Sequence, residues 1–196
     1  MYGPLTGKKI HPTRLGFDFD GVVADTAEAF IRLCCEEYDY CSIRLEDITE
    51  FEVERCLDVD PAVVEAVFTR ILVDSVGVGL RPMPGAVDVL RDMTVHGTVT
   101  VVTARPDPGP VRDWLATVMP SSVRENIRIV AMGAHDDKPR HVIENGLECF
   151  IDDRAETCHQ LSAAGIVPIV FSQPWNQGRH SFSAVSCWDD IRSLCL

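Results

Sequence analysis

The chain alternates between short apolar runs and amphipathic stretches, and this alternation is the feature that most restricts its fold. Runs typical of strands occur at about 15–19, 98–103, 127–131, 147–151 and 166–171, and helical patterns at about 86–95, 110–118, 139–145 and 155–164. Strands that alternate with helices form a parallel sheet with helices on both faces. The sequence therefore predicts a Rossmann-like α/β fold, in which Pro168 puts the last strand at an edge or leaves part of it unpaired.

Residues 25–84 depart from this rhythm, because they contain helical patterns but no run typical of a strand. One helix is predicted to begin near Asp25 and a second at Asp60-Pro61. We expect an α/β core of residues 1–24 and 85–196, with residues 25–84 forming a small helical cap inserted after the first strand. The pattern fits a mobile lid that excludes water, and it also fits a rigid subdomain.

Chemically active side chains follow the predicted strands at the points where those strands end. Asp18 and Asp20 close the first strand, and both can face one pocket because side chains two residues apart in an extended chain point the same way. Ligands of open α/β sheets bind beyond the carboxyl ends of the strands. Each of these side chains alone has an ordinary structural explanation, but their shared position predicts one site. The other members of the set are Thr103, Arg105, Lys138, Asp152 and Asp153.

Four of these motifs together resemble those of the haloacid dehalogenase (HAD) superfamily, whose members transfer phosphoryl groups through an aspartate nucleophile. The resemblance covers nearly the whole chain, and the matching residues are Asp18-Phe19-Asp20-Gly21, Thr103, Lys138 and Asp152-Asp153. Within the superfamily the chain is most similar to the small 5′(3′)-deoxyribonucleotidase-like proteins. That narrower likeness lies in Phe17 to Thr26, Thr103 to Pro106, Ile151 to Arg154 and Gln173 to Asn176.

The resemblance implies a phosphatase mechanism centred on the two acids of the first motif. Asp18 is then the nucleophile that attacks phosphorus, and Asp20 protonates the leaving alcohol and later activates water. We expect Mg²⁺ to be bound by Asp18, the main-chain carbonyl of Asp20 and Asp153, with Asp152 in support. The acid role of Asp20 requires a raised pKa, which a partly dry site with neighbouring carboxylates is expected to provide.

The same resemblance assigns a second group of residues to the phosphate. Thr103, Lys138 and the main-chain amides near Phe19 and Ala104 are expected to hold the phosphoryl oxygens. Arg105 is placed beside them as a substrate-binding residue, with an ordinary salt bridge as the alternative.

Recognition of the rest of the substrate is less constrained by the motifs. Phe30 and Phe51 are candidates for stacking on a base, with core packing as the alternative. Arg154 and Trp175 are candidates for the rim of the site, and His135 for contact with substrate, although loop exposure also explains that histidine.

The expected substrate is a small phosphorylated metabolite, and the nucleotidase likeness favours a nucleoside monophosphate, deoxy forms included. A phosphoglycolate or sugar-phosphate phosphatase, or a phosphotransferase, of the same superfamily is an alternative. A non-catalytic binding protein with this fold is another, although the complete set of motif residues argues against it. The dehalogenating members of the superfamily lack the second aspartate, so Asp20 favours a phosphatase.

Composition restricts the partners of the chain. Its 196 residues carry a net charge of −12 and a pI near 4.8, which oppose binding to a nucleic-acid polymer or an anionic membrane. No apolar run has the length of a membrane span, and the N-terminus lacks the apolar core of a signal peptide. We therefore expect a cytoplasmic monomer or homodimer.

The cysteines give no sign of a metal site. The eight of them contain no C-x-x-C pair and no Cys/His spacing typical of zinc. Most read as small buried hydrophobic residues, so reduced thiols are predicted rather than disulfides.

Overall fold

The computed structural model describes residues 9–133 and 137–196, which form a parallel sheet with helices packed against it. The strands are β1 (Leu15–Phe17), β2 (Val99–Thr103), β3 (Ile127–Ala131), β4 (Cys149–Asp152), β5 (Val167–Phe171) and β6 (Ala184–Val185). They lie in the order β3-β2-β1-β4-β5-β6, and every neighbouring pair is parallel. This order confirms the predicted Rossmann-like α/β fold.

The α-helices include every one that the sequence predicts. They are α1 (Thr26–Tyr38), α2 (Pro61–Val73), α3 (Ala86–Thr94), α4 (Gly109–Val118), α5 (Ser121–Arg124), α6 (Lys138–Glu144), α7 (Ala155–Ala163) and α8 (Trp188–Cys195). None of the helices in the described ranges is long and apolar enough to cross a bilayer.

Helices cover both faces of the sheet, and neighbouring residues of one strand, such as Phe150 and Ile151, belong to different cores. Phe150 packs with Val142 of α6 and Leu161 of α7 on one face. The larger core on the other face contains Phe17, whose ring stacks on Trp188 of α8 with centroids 5.2 Å apart. Continuous apolar strands of this kind are typical of a sheet that is covered on both sides.

Strand β6 and the helices α5 and α8 lie outside the sequence prediction. Helix α5 has four residues and strand β6 has two, which are too few to show a hydrophobic period in the sequence. Strand β6 pairs only with Val170 and Phe171, and no residue of β6 pairs with Pro168. Pro168 pairs with Phe150 of β4, so the expected unpaired stretch is found only on the side that faces β6, and β6 rather than β5 forms that edge of the sheet.

Residues 25–84, which we call the helical insertion, connect β1 to α3 and contain α1 and α2. The two helices pack through the rings of Phe30 and Phe68, which stack with centroids 4.7 Å apart. Each helix is capped by an aspartate that accepts a hydrogen bond from a first-turn N–H, Asp25 at 3.1 Å and Asp60 at 2.8 Å. The caps fix where the two helices begin, and the stacked rings form one of the contacts between them.

The chain leaves the sheet and returns to it along two adjacent segments. Ala24 forms an antiparallel bridge with Pro82, and the Met83 N–H donates to the Val23 carbonyl at 2.9 Å. The Asp25 N–H donates to the Arg81 carbonyl at 2.8 Å. These backbone bonds hold the insertion close to the turn that follows β1.

Cys35, in the last turn of α1, forms a disulfide with Cys41, which follows the helix. The prediction of reduced thiols is wrong for this pair, because the left-handed backbone of Asp39 reverses the chain and brings the two Cα atoms to 4.2 Å. The remaining six cysteines are free. None of them belongs to a group that could hold a metal within the described residues.

Candidate active site

The acidic residues at the strand ends meet beyond β1 and β4, where the sheet order switches direction. The Asp18 N–H donates to the Ile151 carbonyl at 2.9 Å, so the hydrogen bonds between β1 and β4 continue as far as Asp18. This register brings Asp18 beside Asp152 and Asp153. A switch point of this kind is the usual ligand site of an open α/β sheet.

Lys138 links the acids of the two strands from the start of α6. Its Nζ lies 3.0 Å from Asp18 Oδ1 and 2.7 Å from Asp152 Oδ2. The other Asp152 oxygen accepts the Arg154 N–H at 2.9 Å, so both oxygens of this carboxylate are occupied. Lys138 and Asp152 are almost completely buried, and therefore each charge depends on its partner.

The pKa values reflect this crowding of charge. Burial raises the pKa of Asp18 to about 7, against the opposing effect of the Lys138 ammonium and with a further rise from Asp152. Burial would lower the pKa of Lys138, but the carboxylates of Asp152 and Asp18 outweigh it and raise that pKa. Burial and the charges of Asp152 and Asp18 together raise the pKa of Asp153 well above its usual range. The site holds more negative charge than Lys138 alone neutralises.

Asp153 lies against the turn that follows the first motif. Gly21 has a φ of 73°, and a Cβ on it would lie 2.0 Å from Asp153 Oδ2. Only glycine allows this close approach. Asp18, Asp152 and Asp153 can each place one carboxylate oxygen within 4.8 Å of the others.

Two amide side chains that follow β5 donate hydrogen bonds to main-chain carbonyls of the site. Asn176 Nδ2 donates to the Asp153 carbonyl at 2.7 Å and to the Phe171 carbonyl at 2.8 Å. Gln173 Nε2 donates to the Gly21 carbonyl at 2.9 Å. In the sequence these residues are noted only as part of the family resemblance, and no role is predicted for them. The available signal was a pair of amide side chains in a turn after a strand.

Asp20 is bound by Arg105 in a two-pronged ion pair. Arg105 Nε lies 2.9 Å from Asp20 Oδ2 and Nη2 lies 2.7 Å from Oδ1, which also accepts the Thr26 hydroxyl at 2.6 Å. Burial would raise the pKa of Asp20, but the hydrogen bonds and charge of Arg105 outweigh it and lower the pKa. The expectation that the site raises the pKa of Asp20 is therefore wrong for this arrangement, because a guanidinium lies nearer than the other acids.

The residues that are predicted to bind phosphate lie near Asp18 and Asp20, and they differ in how far their side chains are exposed. Thr103 is buried, and its hydroxyl accepts the Arg105 N–H at 3.3 Å. The Phe19 N–H donates to Asp18 Oδ1 at 2.8 Å, whereas its side chain is buried against Trp114. Ala104 is partly exposed and lines the adjoining cavity. Arg105 also lines the cavity, but its guanidinium is bound to Asp20 and to the insertion.

A cavity of about 370 Å³ lies between these residues and the helical insertion. Asp18, Asp20 and Asp153 line one end of it, and the insertion adds two further acids, Glu52 and Glu54. Most of the remaining wall is apolar, and it includes Ala27, Ile48, Phe51, Phe68, Leu72 and Trp175. The indole N–H of Trp175 is buried without an acceptor among the described residues.

The residues suggested for substrate recognition occupy different environments. Phe51 lines the cavity and lies 4.7 Å from the Arg154 guanidinium, measured to the ring centroid. Phe30 also borders the cavity, but its side chain is fully buried under Phe68, which the sequence analysis did not single out as a ligand contact. His135 lies outside the described residues.

The fold is similar to that of solved hydrolases of the haloacid dehalogenase type. A haloacid dehalogenase-like hydrolase from Streptococcus pneumoniae aligns with a TM-score of 0.58 at 13% identity, covering 91% of this chain and 96% of that one. A "predicted phosphoglycolate phosphatase" from Haemophilus somnus gives 0.60 at 14% identity, covering 94% and 98%. A β-phosphoglucomutase from Clostridium difficile gives 0.54 at 12% identity, covering 91% and 92%. These likenesses show that the chain has the fold of the haloacid dehalogenase type.

The family is given by the sequence itself. The sequence model of the family described as "5′ nucleotidase, deoxy (Pyrimidine), cytosolic type C protein" matches residues 12–196, and the chain belongs to this family. It is therefore a phosphatase of the hydrolase class, and the predicted superfamily resemblance is confirmed. Comparison with curated protein sequences gives no match.

Proposed function

We propose that the protein is a Mg²⁺-dependent phosphomonoesterase that forms an aspartyl-phosphate on Asp18, with a nucleoside monophosphate, deoxy forms included, as substrate. The observation that carries this proposal is the position of Asp18 at the end of an aromatic cavity, with Lys138 beside its carboxylate. From there a carboxylate can reach phosphorus while the organic part of the ester lies against the rings.

Two displacements would complete the reaction. In the first, an Asp18 oxygen forms a bond to phosphorus as the ester bond breaks, and Asp20 gives its proton to the leaving alcohol. In the second, Asp20 takes a proton from water, which attacks phosphorus and releases phosphate and free Asp18. The lowered pKa of Asp20 keeps this carboxyl ionised, as the second step requires, whereas the first step requires its protonated form.

Charge in the transferring group would be balanced by groups around Asp18. Lys138 lies closest, and the Thr103 hydroxyl with the amides of Phe19 and Ala104 would donate to phosphoryl oxygens. The Phe19 amide already donates to Asp18 Oδ1, so it lies near the atom that attacks.

The acidic cluster fits a hard divalent cation, because three carboxylates lie together and the one lysine beside them contacts only Asp18 and Asp152. Asp18, Asp153 and the main-chain carbonyl of Asp20 would hold Mg²⁺, and Asp152 would support them through Lys138. When bound, the ion would offset the negative charge of the acids and of the phosphoryl group.

The cavity favours an aromatic organic group over a small acid or a polyol. The carboxylates of Glu52 and Glu54 would repel the carboxylate of phosphoglycolate, and an apolar wall offers sugar hydroxyls few partners. The rings of Phe51 and Phe68 can stack on a base, since stacking contributes ~1–3 kcal/mol per base. The helical insertion would then act as the cap that selects the substrate.

Phosphate release from a substrate panel tests this function. Nucleoside and deoxynucleoside monophosphates, phosphoglycolate, a sugar phosphate and p-nitrophenyl phosphate are compared with Mg²⁺ and with EDTA. We expect turnover only with Mg²⁺ and the highest kcat/KM for a nucleotide. A sugar phosphate or phosphoglycolate that exceeds every nucleotide by about a hundredfold would remove the nucleotidase proposal, because that difference equals ~2.7 kcal/mol of transition-state binding. No release from any ester would remove the phosphatase mechanism as well.

A further inference from the structure

Arg105 joins the loop beyond β2 to the helical insertion as well as to Asp20. While Nε and Nη2 bind the two oxygens of Asp20, Nη1 donates to Ser75 Oγ at 2.7 Å. Nη1 also donates to the carbonyls of Ile71 and Leu72, at 3.4 and 3.3 Å. One guanidinium therefore contacts the proposed acid and the insertion simultaneously.

The insertion side of this contact is the C-terminal end of α2. The last carbonyls of a helix lack intrahelical donors and carry the negative end of its dipole, so a cation is well placed there. Ser75 is held in position because its hydroxyl donates to the Ile71 carbonyl at 2.8 Å. Only 3% of Arg105 is exposed, so water does not compete for these bonds.

We propose that Arg105 is a positioning residue that couples the placement of α2 to the orientation of the Asp20 carboxylate. This inference rests on the proposed role of Asp20 as the acid that protonates the leaving group. A planar guanidinium can bind a carboxylate with one edge and other acceptors with the other, whereas a lysine ammonium is a point charge on a flexible stem. A shift of the α2 end would then change how Asp20 is held.

The coupling gives the insertion a direct effect on chemistry in addition to any contact with substrate. If α2 moves, the Nη1 bonds to Ser75 and the two carbonyls change first, and the planar fork transmits the change to Nε and Nη2. The rival explanations are that Arg105 binds phosphate, or that it is a buried ion pair that only stabilises the fold. Both rivals predict that variants on the insertion side leave proton transfer from Asp20 unchanged, whereas the coupling predicts that they impair it.

A matched pair of esters isolates the effect on Asp20. Phenyl phosphate and p-nitrophenyl phosphate have similar shapes, but phenolate leaves poorly and depends more on a proton from the acid. Their kcat/KM values include only the steps up to formation of the phosphoenzyme. For Arg105→Lys we expect the phenyl phosphate value to fall about tenfold further than the p-nitrophenyl phosphate value, within the range of general acid catalysis. For Ser75→Ala, which does not touch Asp20, we expect the same preference at about threefold, since one hydrogen bond is lost.

Equal losses for both esters in Arg105→Lys would overturn the proposal in favour of phosphate binding or simple stability. A silent Ser75→Ala variant would overturn the coupling, because Asp20 would then be independent of the insertion. The mild serine variant keeps the test decisive even if loss of the buried arginine prevents folding.

Amide hydrogen exchange supplies a readout that does not need turnover. Asp20→Ala should speed exchange in residues 71–80 by about tenfold, because Arg105 loses the partner that fixes it. Thr26→Val is the matched control, since Thr26 bonds to Asp20 but has no bond to Arg105, and it should leave that segment unchanged. Unchanged exchange in Asp20→Ala would refute the coupling. An inactive wild-type enzyme with coupled exchange would instead refute only the proposed function.

Discussion

Asp18 shows at the scale of one residue how the site balances its charges. Burial raises the pKa of this carboxyl to about 7, although Lys138 lies only 3.0 Å away. As the proposed nucleophile, Asp18 must be ionised, so it would need more positive charge than the lysine provides. A divalent cation beside Asp153 would supply that charge, which makes the nucleophile and the metal interdependent.

Asp18→Asn should abolish turnover while the protein remains folded, because an amide cannot supply the attacking oxygen anion. We expect a loss of about a thousandfold or more in kcat, as is usual when a nucleophile is removed. Phosphate release measures the loss, and circular dichroism with Asp20→Asn as a companion variant checks the fold. Activity within about tenfold of wild type would show that another group attacks phosphorus.

The sequence revealed the positions of individual acids better than their partners. Period-2 alternation and the rule for parallel sheets suffice to bring Asp18 and Asp153 to one edge. The pairing of Asp20 with Arg105 could not be predicted, because it depends on the loop after β2 meeting the end of α2 across the cavity. The hydrogen bonds and charge of Arg105 in that long-range contact are the main reason why the pKa of Asp20 is lowered against the effect of burial.

The cavity is lined both by residues of the α/β part and by residues of the helical insertion. Strands β1 and β4 position the acids, whereas α2 and the segment around Phe51 supply the aromatic wall. Phe30 and Phe68 stack on each other, but only Phe68 retains surface beyond that contact. The two rings should therefore respond differently to substitution.

Phe68→Ala should raise KM for a nucleoside monophosphate more than for glycerol 2-phosphate, which has no ring to stack. We expect about a fivefold difference or more, from a stacking contribution of ~1–3 kcal/mol. Phe30→Ala is the matched control, because it removes a buried ring and should lower the free energy of unfolding by ~3–5 kcal/mol. Kinetics with both esters and denaturant unfolding measure the two effects. Equal KM changes in Phe68→Ala would place that ring in the core.

Periodicity predicted the long elements and missed those that depend on distant contacts. The four longer strands and the helices α1 and α2 carry enough residues to show a period. Strand β6 has two residues and exists because Val170 and Phe171 offer an unpaired edge. The Cys35–Cys41 disulfide likewise depends on where α1 ends, which the apolar pattern does not fix to within a residue.

At the scale of the whole molecule, the acidic cluster lowers the stability of the metal-free protein and would favour binding of a cation. The fold buries Asp18, Asp152 and Asp153 around Lys138, in a chain whose net charge is already −12. Burial and like charges raise the pKa of Asp153, so its ionised form destabilises the metal-free protein. This cost is low at acid pH, where Asp153 is protonated, and grows as pH rises through its raised pKa. Removing the charge should stabilise the fold and weaken metal binding.

Asp153→Asn should therefore melt above wild type in EDTA at neutral pH, by about 2–4 °C for each kcal/mol of repulsion removed from a chain of this size. Its advantage should shrink as the pH falls, because the raised pKa leaves the wild-type carboxyl increasingly protonated. Mg²⁺ at about a hundred times its Kd should stabilise wild type by ~2.7 kcal/mol, or about 5–10 °C, and the variant far less. Thermal melts with and without Mg²⁺ measure both effects.

Asp152→Asn is the control, because its carboxylate accepts hydrogen bonds from Lys138 and the Arg154 N–H. Loss of that charge leaves a buried ammonium with only Asp18 as a partner, so this variant should melt below wild type in EDTA. Opposite shifts for two adjacent aspartates would separate the proposed metal ligand from its support. If Asp153→Asn melted lower in EDTA, or kept the full Mg²⁺ shift, Asp153 would not be the acid that the cation neutralises.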